Sequence, residues 1–158
     1  MALTLANVTG AAQWAFQKAN TGFSNTKQSG QLPGNVDYDS TVFNKGYIKT
    51  QTIAIGASQD FDLTSLTDPV GDTVNMTKVA GFAISVTGGA CKIKAGATNG
   101  LSSWFVRDSG SLYIPAGGFA VIGWDGATFA TVGSTTKVIN IAQSGATAVT
   151  VSVAFLGG

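Results

Sequence analysis

Eight aspartates, one cysteine and three tryptophans are the side chains through which this sequence could do chemistry, and it holds no histidine, no glutamate and one arginine, Arg107. Without histidine there is no Ser-His-Asp triad, no Cys-His pair and no imidazole metal site. A lone cysteine, Cys91, excludes a Cys-rich zinc site and an intrachain disulfide. Between Ala90 and Ile93, it reads as a small buried hydrophobe with no base to activate it. No GxxxxGK[ST] phosphate loop is present, and Gly117 with Gly118 reads as a tight turn.

The aspartates offer two pairings. Asp60 and Asp62 lie two apart and share the exposed face of a strand. Asp68 and Asp72 flank a Pro-Val-Gly turn, where turn chemistry accounts for both. Calcium needs about six to eight oxygen ligands, and nothing selects two aspartates as a glycosidase pair. The sequence therefore reads as a non-enzyme with no cofactor and no metal. Trp104 and Phe105, in a long loop over 96–110, and Trp124, before the Asp125-Gly126 turn, are the better functional candidates. Such aromatics cap a core, anchor a subunit interface or stack on a sugar.

Charge is sparse: 11% of residues against about 25% in an ordinary soluble domain. A charged surface keeps copies of a protein apart; Ser, Thr, Gly, Asn and Ala in its place suit neutral contact with other subunits, or else a secreted Ser/Thr-rich domain. The net charge of +1 and scattered lysines, with Lys92 and Lys94 the one near pair, argue against direct nucleic-acid binding. No apolar stretch reaches the roughly 18–20 residues of a membrane span. The opening MALTLAN lacks the basic start and apolar block of a signal peptide, which points to synthesis in the cytoplasm without export by that route.

These residues must be positioned by two regions. Residues 1–46 are polar, with Trp14, Phe16, Phe23, Tyr38 and Phe43 spaced along them, and read as an extended N-terminal arm that becomes ordered against a surface: a neighbour first, or else its own domain or a different protein. The stretch 11–19, with Thr9 as N-cap, predicts a short helix of about two turns. From residue 47 to 158 the pattern is β. About eight or nine strands are separated by Gly, Pro and Asp turns, including Gly88-Gly89, 115–118 and Ser144-Gly145, and a bulge is expected near Gly81. This predicts an all-β antiparallel sandwich, jelly-roll-like, burying Phe61, Leu63, Val74, Phe82, Ile84, Val86, Val121, Ile139, Val149, Val151 and Val153. An immunoglobulin-like sandwich competes, but its Cys…Trp…Cys spacing is missing.

The run DFDLTSLTDPVGDTVNMTKV over 60–79, the IPAGG of 114–118, the closing SGATAVTVSVAFLGG of 144–158 and the opening LANVTGAAQ of 5–13 resemble small β-rich virion proteins of tailed bacteriophages. The likeness rests on turn positions and hydrophobic pattern; residues 26–46 form a longer linker than that pattern has. It implies a virion structural role, that of a capsid decoration or cement protein, often a homotrimer, partnered by itself and by the major capsid protein. Trp14, Phe16 and Phe23 of the arm, with Trp104 and Phe105, are then the expected partner-binding residues. The alternatives are a tail-associated or carbohydrate-binding β-sandwich module and, least supported, a polysaccharide depolymerase.

Overall fold

The computed structural model of the chain describes residues 45–68, 71–103, 110–123 and 130–158 with their side chains, and the backbone alone of Trp14–Gln17, Lys27–Gly30 and Trp104. In chain order the strands are β1 (Trp14–Gln17), β2 (Lys27–Gly30), β3 (Lys45–Ile53), β4 (Ser58–Asp62), β5 (Leu66–Thr67), β6 (Thr73–Val74), β7 (Lys78–Ala95), β8 (Ser111–Ile114), β9 (Phe119–Gly123), β10 (Ala130–Thr131) and β11 (Val138–Gly157). A 3-10 turn, Ser102–Trp104, interrupts the loop between β7 and β8.

Two long strands form the spine. β11 pairs antiparallel with β7 from Ile139↔Ala95 to Ser144↔Ala90, and again from Val149↔Gly88 to Leu156↔Gly81. β3 and β4 line the far side of β11, and β8, β9 and β10 follow one another along the far side of β7. The interruption in the spine folds the sheet over. Phe61 of β4 pairs with Ile139, which lies sixteen residues from Phe155 along the same strand. A straight strand would separate the two by about 50 Å, yet the rings of Phe61 and Phe155 are 6.0 Å apart. The two halves of the sheet thus face each other as an antiparallel β-sandwich, with the core between them.

Phe155 sits among three rings, with Tyr47 at 6.0 Å, Phe61 at 6.0 Å and Phe82 at 5.2 Å. Around it are buried Leu63, Ile84, Ile93, Ile139, Ile141, Val149, Val151 and Val153. Ten of the eleven expected core residues lie in this cluster or pack against it, with Val74 partly buried. Val121 is the exception. It is 43% exposed, because on β9 it is Ala120 and Ile122 that pack against the core, and Val121 alternates to the outside.

Three other expectations are corrected. Trp14–Gln17 is a strand paired with Lys27–Gly30, not part of a helix; two turns of helix are marginal alone, and pairing with a second segment satisfies the backbone instead. Gly88-Gly89 and Ser144-Gly145 are not hairpin turns. Between Ser144↔Ala90 and Val149↔Gly88, the four residues 145–148 stand opposite Gly89 alone, so both strands run on through one large bulge. The bulge switches the buried positions of β7 from Phe82, Ile84 and Val86 to Cys91 and Ile93, keeping both apolar sets on the core side. The expected bulge near Gly81 is present as the register shift between Leu156 and Gly157.

Glycine is required at the fold of the spine. Gly88 has φ of 80°, and a Cβ on Gly89 would lie 2.2 Å from the carbonyl oxygen of Thr147. Gly89→Ala is therefore expected to lower stability by about 1–3 kcal/mol. Denaturant unfolding of the two proteins checks this, as a lower midpoint with an unchanged slope.

Candidate functional site

The folded sheet has two outer faces, and their chemistry differs. On the half built by β4, β8 and the adjoining parts of β7 and β11, the outward side chains are charged or polar. Asp60 and Lys94, both exposed, flank Asn140, which is itself buried, and Lys92 lies across from Tyr113. Lys137 Nζ donates to Asp62 Oδ2 at 2.7 Å, and Thr64 donates to Asp62 Oδ1 from its backbone N (2.9 Å) and its Oγ1 (2.6 Å). Asn140 Nδ2 donates to Asp60 Oδ1 at 2.6 Å. This is a solvated face, as expected for Lys92 and Lys94, which are both exposed.

Among the described residues, the other outer face carries no charge. Its rows run across β3, β11, β7 and β9: Ile48, Ala154, Ala83, Val121, then Thr50, Ser152, Ser85, Phe119, then Thr52, Thr150 and Thr87 on three strands. Ile48 is 66% exposed and Phe119 60%. Phe119 and Val121 form a ridge along β9, Ile48 a wall on β3, and between them lies a shallow trough floored by Ala83 and Ala154. The neighbouring hydroxyls are paired within the face, Thr50 with Ser152 at 2.8 Å and Thr52 with Thr150 at 3.0 Å. Groups already bonded to each other lose less when water is removed. Ile48, Phe119 and Val121 thus leave large apolar side chains exposed on this one face.

This face is hidden from sequence reasoning, because Ile48, Phe119 and Val121 look like core residues in a β pattern. Register supplies the missing signal: each alternates with a neighbour that packs inward. Of the residues expected to bind partners, Trp14 and Phe16 occupy alternate positions on β1, and Trp104 ends the 3-10 turn. Their side chains, with all of Phe23, Phe105 and Trp124, lie outside the described residues.

The candidate chemical groups are occupied structurally. Asp68 and Asp72 close the expected turn: Asp68 N donates to Asp72 O at 3.0 Å, and Asp72 N donates to Asp68 Oδ1 at 2.8 Å. Among the described residues, no three His, Cys, Asp or Glu side chains gather as a metal site would require. Cys91 is buried, and burial pushes its thiol up to about 11. At neutral pH it stays protonated, and a thiol-reactive disulfide reagent is expected to label it only after unfolding.

Partial burial pushes the Asp62 carboxyl up, but the hydrogen bonds from Lys137 and Thr64 outweigh it and hold the group below its ordinary value. A carboxylate lowered on folding contributes stability above its unfolded pKa, and the contribution disappears as pH falls through the folded value. Stability is therefore expected to fall below about pH 4. Asp62→Asn should flatten that part of the pH profile, measured by thermal unfolding.

Comparison of the sequence with protein-family models and with curated proteins gives no match.

Proposed function

We propose that this chain is a structural subunit that works by assembly, in the manner of a capsid decoration or cement protein of a tailed phage, and catalyses nothing. In this reading its jelly-roll-like sandwich packs against copies of itself and against the major capsid protein, and its place is the virion, after synthesis in the host cytoplasm. The observation that carries the assembly part is the uncharged outer face, with Phe119, Val121 and Ile48 standing out of it. A freely dispersed domain covers such a surface with charge, as this chain does on its other outer face. The virion part rests on the likeness of the runs at 60–79, 114–118 and 144–158 to phage virion proteins. Ligand chemistry has less support, because the buried thiol and the bonded aspartates are engaged in the fold.

Particles released by cells that encode the chain provide the test. In purified particles, quantitative mass spectrometry is expected to find the chain in a fixed ratio to the major capsid protein. The ratio should survive a high-salt wash, since contact through a neutral face is little affected by screening. Particles that lack the chain, or lose it in salt, would overturn the reading.

A further inference from the structure

We infer that the arm closes on its own domain: the chain just before β3, with Val42 and Phe43 nearest, folds back across β3 and covers Leu156 and Gly81. The inference goes beyond the assembly reading above and does not rest on it. One row past Ile48, Ala154, Ala83 and Val121, at the end of the neutral face, stand Gly46, Leu156, Gly81 and Gly123. Leu156 alternates with Phe155 and Val153, which face the core, so its side chain points outward. An outward leucine at this place should meet water. Gly46 and Gly81 beside it have no side chains, and Ala154, two residues back, has a single methyl. Ile48 and Val121, one row away, are indeed exposed, yet Leu156 is only 6% exposed. Gly81 is buried as well. The sheet does not supply this cover, and a single chain buries the row, so another segment of the same chain lies over it.

The gradient of burial points to where the cover enters. Away from the row, exposure rises: Ala154 and Ala83 are half-buried, and Ser85 and Thr87 beyond them are exposed. Along the row, Gly46 on β3 is half-buried, whereas Gly123 on β9 is exposed. The cover therefore comes from the β3 side and stops short of β9. Two stretches adjoin the ends of the row. Residues 124–129 continue from the exposed Gly123, and residues 31–44 lead into Lys45, beside Gly46. The second stretch fits the gradient. Strands lie about 4.8 Å apart and a residue spans up to about 3.5 Å, so two or three residues carry the chain from Lys45 over Leu156. Phe43 and Val42 stand at that separation, and Asp37 and Asp39, further back, are the charged residues of the stretch. Covering a leucine with two apolar side chains favours the closed arm. A partner that docks on Ile48, Phe119 and Val121 then meets arm and sheet together.

Thiol labelling of the full chain tests the contact. Leu156→Cys should be protected, while Ser85→Cys, two rows away on the same side, should react freely; the buried Cys91 stays silent while the chain is folded. Val42→Asp together with Phe43→Asp should speed the labelling of Leu156→Cys by about tenfold or more and leave that of Ser85→Cys unchanged. Phe43→Cys combined with Leu156→Cys should form a disulfide on mild oxidation in dilute solution, and the product should run as a monomer. Thermal unfolding identifies a variant that fails to fold, and Phe43→Ser then replaces the charged pair. Labelling of Leu156→Cys as fast as that of Ser85→Cys would overturn the inference. So would protection that the charges at 42 and 43 leave intact, since the cover is then another segment. A disulfide that links two chains would overturn it too, since the arm is then a neighbour's. A chain that passes these tests but is absent from particles would sink the virion role alone.

Discussion

The sandwich depends on a single close approach of backbone to backbone, where Gly89 of β7 passes under the four-residue excursion 145–148 of β11. No Cβ fits there, since one on Gly89 would press into the Thr147 carbonyl and one on Gly88 would lie 2.9 Å from that of Ala148. The fold in the spine brings Phe61 onto Phe155 and so closes the core. It also divides one sheet into two halves whose outer faces point away from each other. The contrast between a charged face and a neutral one therefore has a backbone origin: β7 displays Lys92 and Lys94 on one side of the bulge, and on the other β7 and β11 carry Ala83, Ser85, Ser152 and Ala154.

The neutral face is not a continuation of the core. Its outward positions on β7 and β11 are small, so the apolar bulk is confined to the two flanking strands. Ile48 on β3 and Phe119 and Val121 on β9 supply the relief, and the hydroxyl pairs between β3 and β11 flatten the rest. Edge strands commonly carry charge or proline to discourage pairing. β3 has Lys49, and Pro115 precedes β9, but β9 itself, FAVIG, has neither. The apolar ridge thus lies on the less guarded side of the sheet.

Much of this architecture is legible in the sequence. The alternation at 148–155 marks the core face of β11 directly, and Asp68, Pro69, Gly71 and Asp72 announce a turn that the backbone makes. The misreadings share a physical cause. Glycine-containing pairs at 88–89 and 144–145 signal chain reversal and bulge equally well, and only the partner strand decides between them. Trp14–Gln17 lies in a stretch of helix-favouring residue types but finds a strand partner in Lys27–Gly30, a tertiary choice that local propensity does not record. Val121 reads as a core residue because hydrophobicity marks burial without naming the face. The candidate site escapes a sequence reading for the same reason: an outward apolar residue and an inward one look alike until register is known.

The position of β11 has a kinetic meaning. It is the central strand, yet it is the last in chain order, and it receives β3 with Lys45 opposite Gly157 and Ile53 opposite Val149. Contacts that span about a hundred residues make closure slow, because a large loop must be ordered before the pairing rewards it. During synthesis β7 is followed by its partners β8, β9 and β10, whereas β3 and β4 emerge long before β11, the strand they pair with. The sheet therefore closes around β3 and β4 only when residues 138–157 have been made.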